Sequence, residues 1–125
     1  MKLSRSHIIY FRVLLCLTLI IVTFLATTAL EFTVIPSAYD KINHFVAFLV
    51  LALLLDFSFP NSRFNMIKIV SLIAYGFSLE IMQYFLPHRM FSLFDIGADS
   101  LGLLAYVLLV PSIKRLPVLN DRWAN

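Results

Sequence analysis

Residues 8–30 read IIYFRVLLCLTLIIVTFLATTAL, an apolar run interrupted by a single charge at Arg12. A helix needs about 20 mostly apolar residues to cross the hydrocarbon core of a bilayer, and this run is long enough. Its basic start and its small residues at 27–29 also resemble a signal peptide, but the apolar run is long for that role. We therefore predict a membrane-spanning helix here, and lipid as the solvent for much of the exterior.

Three further apolar runs follow, and each is ended by a proline. The predicted helices span 8–30, 38–59, 66–86 and 93–110. The prolines are Pro60, Pro87 and Pro111. Proline lacks an amide hydrogen and disfavours helix in the residue before it. Ser37-Ala-Tyr-Asp40 and Ser92-Leu-Phe-Asp95 each fit a serine cap with an acid three residues later. The expected fold is all-α: a four-helix transmembrane bundle forming one domain over 1–125.

The composition supports this class. Hydrophobic residues make up 61% of the 125 residues and charged residues only 14%, against roughly 25% charged in soluble domains. The net charge of +3 is small and scattered, which argues against a nucleic-acid partner. Cys16 is the single cysteine, so an intramolecular disulfide is excluded. No Cys/His cluster has zinc-ligand spacing, and we predict no metal site and no cofactor from the sequence.

The basic residues predict the orientation. Lys and Arg concentrate on the cytoplasmic side of membrane proteins. One side of the predicted bundle carries Lys2, Arg5, Arg12, Arg63, Lys68, Lys114, Arg115 and Arg122. The other side carries Lys41 and Arg89. We therefore predict both termini in the cytoplasm, and a multi-pass protein of the bacterial cytoplasmic (inner) membrane.

Ionisable side chains inside the predicted helices are the best functional candidates. Such a group costs at least about 2.5–3.5 kcal/mol at mid-membrane, so it usually faces protein or water. The candidates in the outer half are His44, Glu80, Gln83, Asp95 and Asp99, with Arg89 in the turn between the last two helices. We predict that they border one polar cavity that opens outward.

Helical spacing supports that convergence. Residues three or four apart share a helix face. Glu80 and Gln83 share one face with Gly76. A second face carries Asp95, Asp99, Gly102 and Tyr106, and Asp40, Lys41 and His44 cluster at the start of the second helix.

Each candidate also has a purely structural interpretation. Asp40 and Asp95 could be helix caps, and Arg89 could be a headgroup anchor. Gln83 could bond a neighbouring helix, Glu80 could make a purely structural bond to the fourth helix, and His44 could be a core histidine with its bonds satisfied. Asp56, at the cytoplasmic end, is expected to form an ion pair with Arg63 or Lys68.

One combination of motifs resembles the VanZ-like family of small bacterial membrane proteins, named after a teicoplanin-resistance protein. The resemblance covers about residues 37–106. It is carried by Asp40-Lys41-Ile-Asn-His44-Phe45, Glu80-Ile-Met-Gln83, Arg89-Met-Phe-Ser92-Leu-Phe-Asp95 and Gly102. It implies a helical bundle with a polar site at Lys41, His44, Glu80, Gln83, Arg89 and Asp95. The family usually carries Asn in place of Asp99 and a second Gly in place of Tyr106.

These observations lead to one leading hypothesis and several rivals. The first is an envelope protein, with a link to glycopeptide resistance or envelope maintenance, whose cavity binds an anionic headgroup or a cell-wall precursor. In it, Lys41, His44 and Arg89 hold the anion, and Glu80 and Gln83 orient hydroxyls or amides. A second is a membrane enzyme acting on a lipid-linked or cell-wall substrate. Its catalytic candidates are Glu80, His44, Asp95 and Asp99.

Two other hypotheses involve neither ligand binding nor catalysis at the cavity. One is a proton-coupled carrier that uses the acids as a relay. No ionisable residue lies between the outer cluster and Asp56, so that path would need water or an oligomer. The other is an assembly scaffold in which the buried polar bonds only fix the helix register.

Overall fold

The chain is all-helical over the part that the computed structural model describes. That part comprises residues 4–27, 37–60, 64–85 and 93–115, with side chains from Ile42 onward in the second range. The helices are α1 (Arg5–Thr27), α2 (Ser37–Ser58), α3 (Met66–Tyr84) and α4 (Leu93–Ile113). The prediction of an all-α chain with four helices is confirmed.

Three of these helices, α1, α3 and α4, are long and apolar enough to cross a membrane. The described apolar part of α2, Ile42–Ser58, is shorter. This shorter run carries both His44 near its start and Asp56 near its end. Polar side chains thus lie near both ends of this run, where they meet the neighbouring helices.

The helix ends follow the sequence prediction closely at the end of α2 and at the start of α3, and depart from it at the end of α4. Helix α2 ends at Ser58, one residue before the predicted end at 59 and two before Pro60. At the start of α3, the Asn65 side chain accepts a hydrogen bond from the Lys68 amide at 3.3 Å, a cap that the sequence analysis missed. The predicted stop of the fourth helix at 110 is wrong, because α4 continues through Pro111 to Ile113.

The continuation past Pro111 has a simple physical reason. A proline inside a helix removes its own amide bond and needs space for its ring. Pro111 lies in the last turn of α4, and beyond it the Lys114 amide still donates to the Val110 carbonyl at 3.0 Å. The last turn of α4 therefore survives the loss of one hydrogen bond.

Helix α2 lies in the middle of the fold and packs on the other three helices, most extensively on α4. Contacts occur in the same order along both helices, His44 with Asp99 and then Asp56 with Tyr106, so α2 and α4 run parallel. Helices α1 and α3 run parallel to each other and antiparallel to this pair. Their contacts join Thr23 with Tyr75 and the Ala26 carbonyl with Gln83.

A glycine allows the parallel pair to approach closely. A Cβ atom at Gly102 of α4 would lie 2.5 Å from the Phe45 carbonyl oxygen and 3.0 Å from the Leu49 nitrogen, both in the α2 backbone. Such distances are far inside van der Waals contact, so no side chain fits there without separating the helices. Glycine at this position brings the two polar helix faces into direct contact.

The distribution of side chains is apolar outside and partly polar inside. The core contains Phe48, Leu51, Phe57, Leu72 and Leu103. Large apolar side chains also cover the outer faces, such as Ile20 at 65% exposed, Ile67 at 74% and Leu108 at 69%. The buried polar side chains are Asp56, Ser58, Lys68, Glu80, Gln83, Asp95 and Asp99. This arrangement suits a protein whose outer surface contacts lipid.

Candidate functional site

Four of the predicted site residues lie together at the end of the fold where α2 and α4 begin and α3 ends. We call His44, Glu80, Asp95 and Asp99 the acid–histidine cluster. His44 Nδ1 lies 2.8 Å from Asp99 Oδ1, and His44 Nε2 lies 3.7 Å from Asp95 Oδ2. One polar atom from each of His44, Glu80 and Asp95 lies within 4.8 Å of the other two. The cluster therefore joins side chains from three helices.

The cluster is packed into the protein. Glu80 is 0% exposed, Asp99 2% and Asp95 3%, and the His44 side chain is 11% exposed. Each acid lies on the inward face of its helix, as the three- and four-residue spacing predicted. Burial of this many ionisable groups is costly in the absence of compensating interactions, so the arrangement is a specific feature of the fold.

Gly76 makes room for one of the acids. A Cβ atom at this position of α3 would lie 2.7 Å from Asp99 Oδ2 and 3.1 Å from the Phe48 ring. The sequence analysis grouped Gly76 with Glu80 and Gln83 on one helix face, but it did not predict that Gly76 faces the α4 carboxylate. The missing side chain leaves the space in which Asp99 reaches His44.

The contact with Asp99 orients the His44 imidazole. An ionised Asp99 only accepts hydrogen bonds, and in that state His44 Nδ1 donates to Asp99 Oδ1. The other ring nitrogen, Nε2, is the one that faces Asp95, at 3.7 Å from Oδ2. The cluster thus presents one oriented nitrogen beside two carboxylates, which can bind a cation, accept a proton or accept hydrogen bonds from a ligand.

Gln83 lies outside the acid–histidine cluster and joins α3 to α1. Its side-chain amide donates to the Ala26 carbonyl oxygen at 2.9 Å, which corresponds to the structural interpretation of this residue. Gln83 is nevertheless buried, less than one turn from Glu80. It fixes the end of α3 that carries the cluster acid.

The predicted cations fall outside the described residues. Arg89 lies in the segment 86–92, and the side chains of Asp40 and Lys41 are likewise not described. The proposed serine caps at Ser37 and Ser92 also lie outside the described side chains. The anion-binding role of Lys41 and Arg89 therefore stays a prediction.

A second buried polar group occupies the opposite end of the fold. Lys68 Nζ donates to Asp56 Oδ1 and to the Phe59 carbonyl oxygen, both at 3.0 Å. The Tyr106 hydroxyl donates to Asp56 Oδ2 at 2.5 Å. The predicted ion pair of Asp56 is confirmed with Lys68, whereas Arg63 lies outside the described residues.

This ion pair is enclosed by the protein, since Asp56 is 1% exposed and Lys68 5%. The tyrosine partner was missed, although the spacing from Asp95 through Gly102 had already assigned Tyr106 to the polar face of α4. The missing information was the parallel packing of α2 and α4, which brings that face to Asp56.

Comparison with known proteins does not extend these observations. No protein-family model, no curated protein and no solved structure matches this chain. The VanZ-like resemblance therefore stays a hypothesis, and function has to be argued from the site.

Proposed function

We propose that this chain is a VanZ-like, four-span protein of the bacterial cytoplasmic membrane whose acid–histidine cluster binds a polar headgroup from the cell envelope. The headgroup belongs to a membrane lipid or to a lipid-linked cell-wall precursor. The observation that carries the proposal is the burial, at one depth, of His44, Glu80, Asp95 and Asp99 from three helices.

The proposed orientation has both termini in the cytoplasm. The Lys and Arg side chains that the structure describes are Arg5, Arg12, Lys68, Lys114 and Arg115. All five lie at or near the end opposite the acid–histidine cluster, at the starts of α1 and α3 and the end of α4. By the positive-inside rule that end is cytoplasmic, and the cluster then lies under the extracytoplasmic face.

The chemistry of the cluster favours a ligand with several hydrogen-bond donors. Carboxylates accept bonds from hydroxyl, amide and ammonium groups, which are common in lipid headgroups and cell-wall precursors. A phosphate on the same ligand would find its cations in Lys41 and Arg89, which the sequence assigns to the same end. The site would thus recognise a headgroup that combines donors and an anion.

Native mass spectrometry tests this proposal. The protein is placed in phosphatidylcholine nanodiscs with small amounts of phosphatidylethanolamine, phosphatidylglycerol or a polyprenyl phosphate. We expect wild type to retain one of the three after transfer to the gas phase. Glu80→Gln and Arg89→Ala should lose that retention, and Asp56→Asn, the same acid-to-amide change in the opposite polar group, should keep it.

The controls make the outcome clear. Each variant is first checked by size-exclusion chromatography and thermal melting, so that lost binding is not lost folding. Equal retention of all three lipids by wild type and Glu80→Gln would overturn headgroup binding at the cluster. An equal loss of lipid retention in Asp56→Asn would indicate a general effect of removing a buried charge.

One observation favours a membrane enzyme as the second candidate. The Asp99–His44 pair orients an imidazole with Nε2 directed toward other polar groups, which is the geometry of a general base. Purified protein would be incubated with a polyprenyl-linked substrate, and product formation would be compared between wild type and His44→Gln. Turnover that is lost in His44→Gln but kept in His7→Gln would favour this candidate over binding alone.

A further inference from the structure

We propose that His44, Glu80 and Asp95 form a binding site for one divalent transition-metal ion, Zn²⁺ or Mn²⁺, and that Asp99 positions the histidine ligand. This inference goes beyond headgroup binding, because it holds whether or not any lipid occupies the site. It also departs from the sequence, which predicts no metal.

The first argument is the set of donor atoms. His44, Glu80 and Asp95 each offer one ligand atom, and these atoms lie within 4.8 Å of one another. Zinc bonds to nitrogen and carboxylate oxygen are about 2.0–2.2 Å, so the ligand atoms of a tetrahedral site lie roughly 3.4 Å apart. His44 Nε2 and Asp95 Oδ2, at 3.7 Å, already approach that spacing. Small rotations of the two carboxylates would close the remainder.

The second argument comes from the residue behind the histidine. Histidines that bind metals usually donate their other ring N–H to a carboxylate or a carbonyl, which fixes the tautomer and orients the ring. His44 Nδ1 lies 2.8 Å from Asp99 Oδ1, and Nε2 is the ring nitrogen that faces the Asp95 carboxylate. A Cβ atom at Gly76 would crowd Asp99 Oδ2 at 2.7 Å, so the glycine leaves room for this carboxylate. The support for the histidine ligand is thus built into α3 and α4.

The third argument is the ligand type. Imidazole suits zinc and iron, whereas carboxylates suit manganese and magnesium, so one imidazole with two carboxylates selects Zn²⁺ or Mn²⁺. Three protein ligands leave at least one coordination position open, as in catalytic zinc sites. A phosphate or carboxylate oxygen of a bound headgroup could occupy that position.

No local spacing in the sequence reveals this site, because its three ligands come from α2, α3 and α4. The pairs are separated by 36 and 15 positions in the chain (44 to 80, 80 to 95). Zinc motifs are recognised by ligands two to five residues apart. The helix packing alone brings these three together.

Metal binding to the purified protein in detergent is the direct test, with no lipid ligand needed. The protein is stripped with a chelator, exchanged into chelator-free buffer and titrated with ZnCl₂ or MnCl₂. Isothermal titration calorimetry and elemental analysis then report the affinity and the number of bound ions. We expect one ion per wild-type chain, and at least a tenfold loss of affinity in Glu80→Gln and in Asp95→Asn. Asp56→Asn is the matched control and should bind as wild type does.

The positioning role of Asp99 predicts a separate effect on metal affinity. Loss of an outer-shell partner of a histidine ligand typically costs 10–100-fold in metal affinity. Asp99→Leu removes the acceptor for the imidazole N–H, so it should weaken metal binding within that range while keeping one ion per chain. An Asp99→Leu protein that is folded and binds the ion with wild-type affinity would remove the positioning role.

A spectroscopic measurement keeps the test independent of variant folding. Electron spin-echo modulation of the Mn²⁺-loaded wild type should detect one imidazole nitrogen bound to the ion. The signal should persist in His7→Ala and disappear in His44→Ala. Folded wild type that takes up no ion would overturn the site. So would an ion without a nitrogen signal, or one whose affinity is unchanged in Glu80→Gln.

Discussion

At the residue scale, the most informative contact is the hydrogen bond between His44 and Asp99. The VanZ-like pattern that the sequence resembles usually carries Asn at the position of Asp99. An asparagine side-chain oxygen can accept the same bond from Nδ1, but it brings no charge. The departure at 99 therefore changes the charge of the site and keeps its geometry.

A substitution pair tests this interpretation. Asp99→Asn should remain close to wild type in stability, because the acceptor for the imidazole N–H is kept. Asp99→Leu should lower the free energy of unfolding by about 1–3 kcal/mol, because it leaves that N–H buried with no acceptor. Thermal melting in one detergent measures both. Equal melting temperatures for the two variants would contradict the proposed role of the hydrogen bond.

The other departure from the pattern, Tyr106, belongs to the opposite polar group. Its hydroxyl bonds to Asp56, which is also paired with Lys68. Glycine, the residue usual in the family, could supply neither this bond nor the ring contact with Phe64 at 5.1 Å between centroids. In this chain the tyrosine fixes α4 against the buried ion pair.

The buried ion pair predicts that substitutions of its two residues have non-additive effects on the free energy of unfolding. Lys68→Met leaves Asp56 buried and charged, and we expect a loss of about 3–5 kcal/mol in the free energy of unfolding. The double variant Lys68→Met with Asp56→Leu removes both charges and should recover most of that loss. Chemical unfolding in mixed micelles provides the comparison. A double variant that is less stable than Lys68→Met would show that the pair itself is a major source of stability.

At the element scale, the contact between α2 and α4 determines the position of both polar groups. It depends on Gly102, where the α2 backbone occupies the space of a side chain. Gly97 lies on the same helix and is exposed, and a Cβ atom added there would meet no atom within 4 Å. The two glycines therefore form a natural comparison within one element.

The comparison gives opposite expectations for the same change. Gly102→Ala should lower the free energy of unfolding by about 1–3 kcal/mol through overpacking. Gly97→Ala should be neutral or raise it by about 0.5–1 kcal/mol, because alanine favours helix over glycine. Melting temperatures of the two variants check this. Similar effects at both positions would contradict the close approach of α2 and α4.

Sequence reasoning at this scale succeeded where the signal was local. Apolar runs and prolines located the four helices, and Pro60 marked the end of α2 correctly. Pro111 misled, because a proline removes one hydrogen bond of a helix and the amides that follow it can still bond to carbonyls before it, as Lys114 does to Val110. The partner of Asp56 on α4 and the contact of Gly76 with Asp99 depended on tertiary packing and had no local signature.

At the scale of the whole molecule, charge asymmetry and helix order together predict the topology. The four helices alternate in direction, so the chain returns to the end of the fold at which it began, and the described basic side chains gather at that end. The convergence of His44, Glu80, Asp95 and Asp99 was predicted from depth and helical period alone. The position of Gln83 outside the cluster was not predicted, because its hydrogen bond to the Ala26 carbonyl depends on where α1 lies.

Reporter fusions test the topology. Alkaline phosphatase, which folds only outside the cytoplasm, should be active when fused after Arg89 and inactive when fused after Ser62. A green fluorescent protein should show the reverse pattern. Fluorescence of the fusion after Arg89 together with phosphatase activity of the fusion after Ser62 would show the opposite orientation. The acid–histidine cluster would then face the cytoplasm.

The polar ends of α2 have a consequence for how the protein is made. His44 finds its partner on α4, and Asp56 finds partners on α3 and α4, so a newly synthesised α2 emerges from the ribosome before either is satisfied. A charged side chain that is buried without its partner is strongly destabilising. We therefore expect α2 to remain at the translocon until α4 has been synthesised. Chains truncated before residue 93 should be degraded by membrane proteases faster than the full chain.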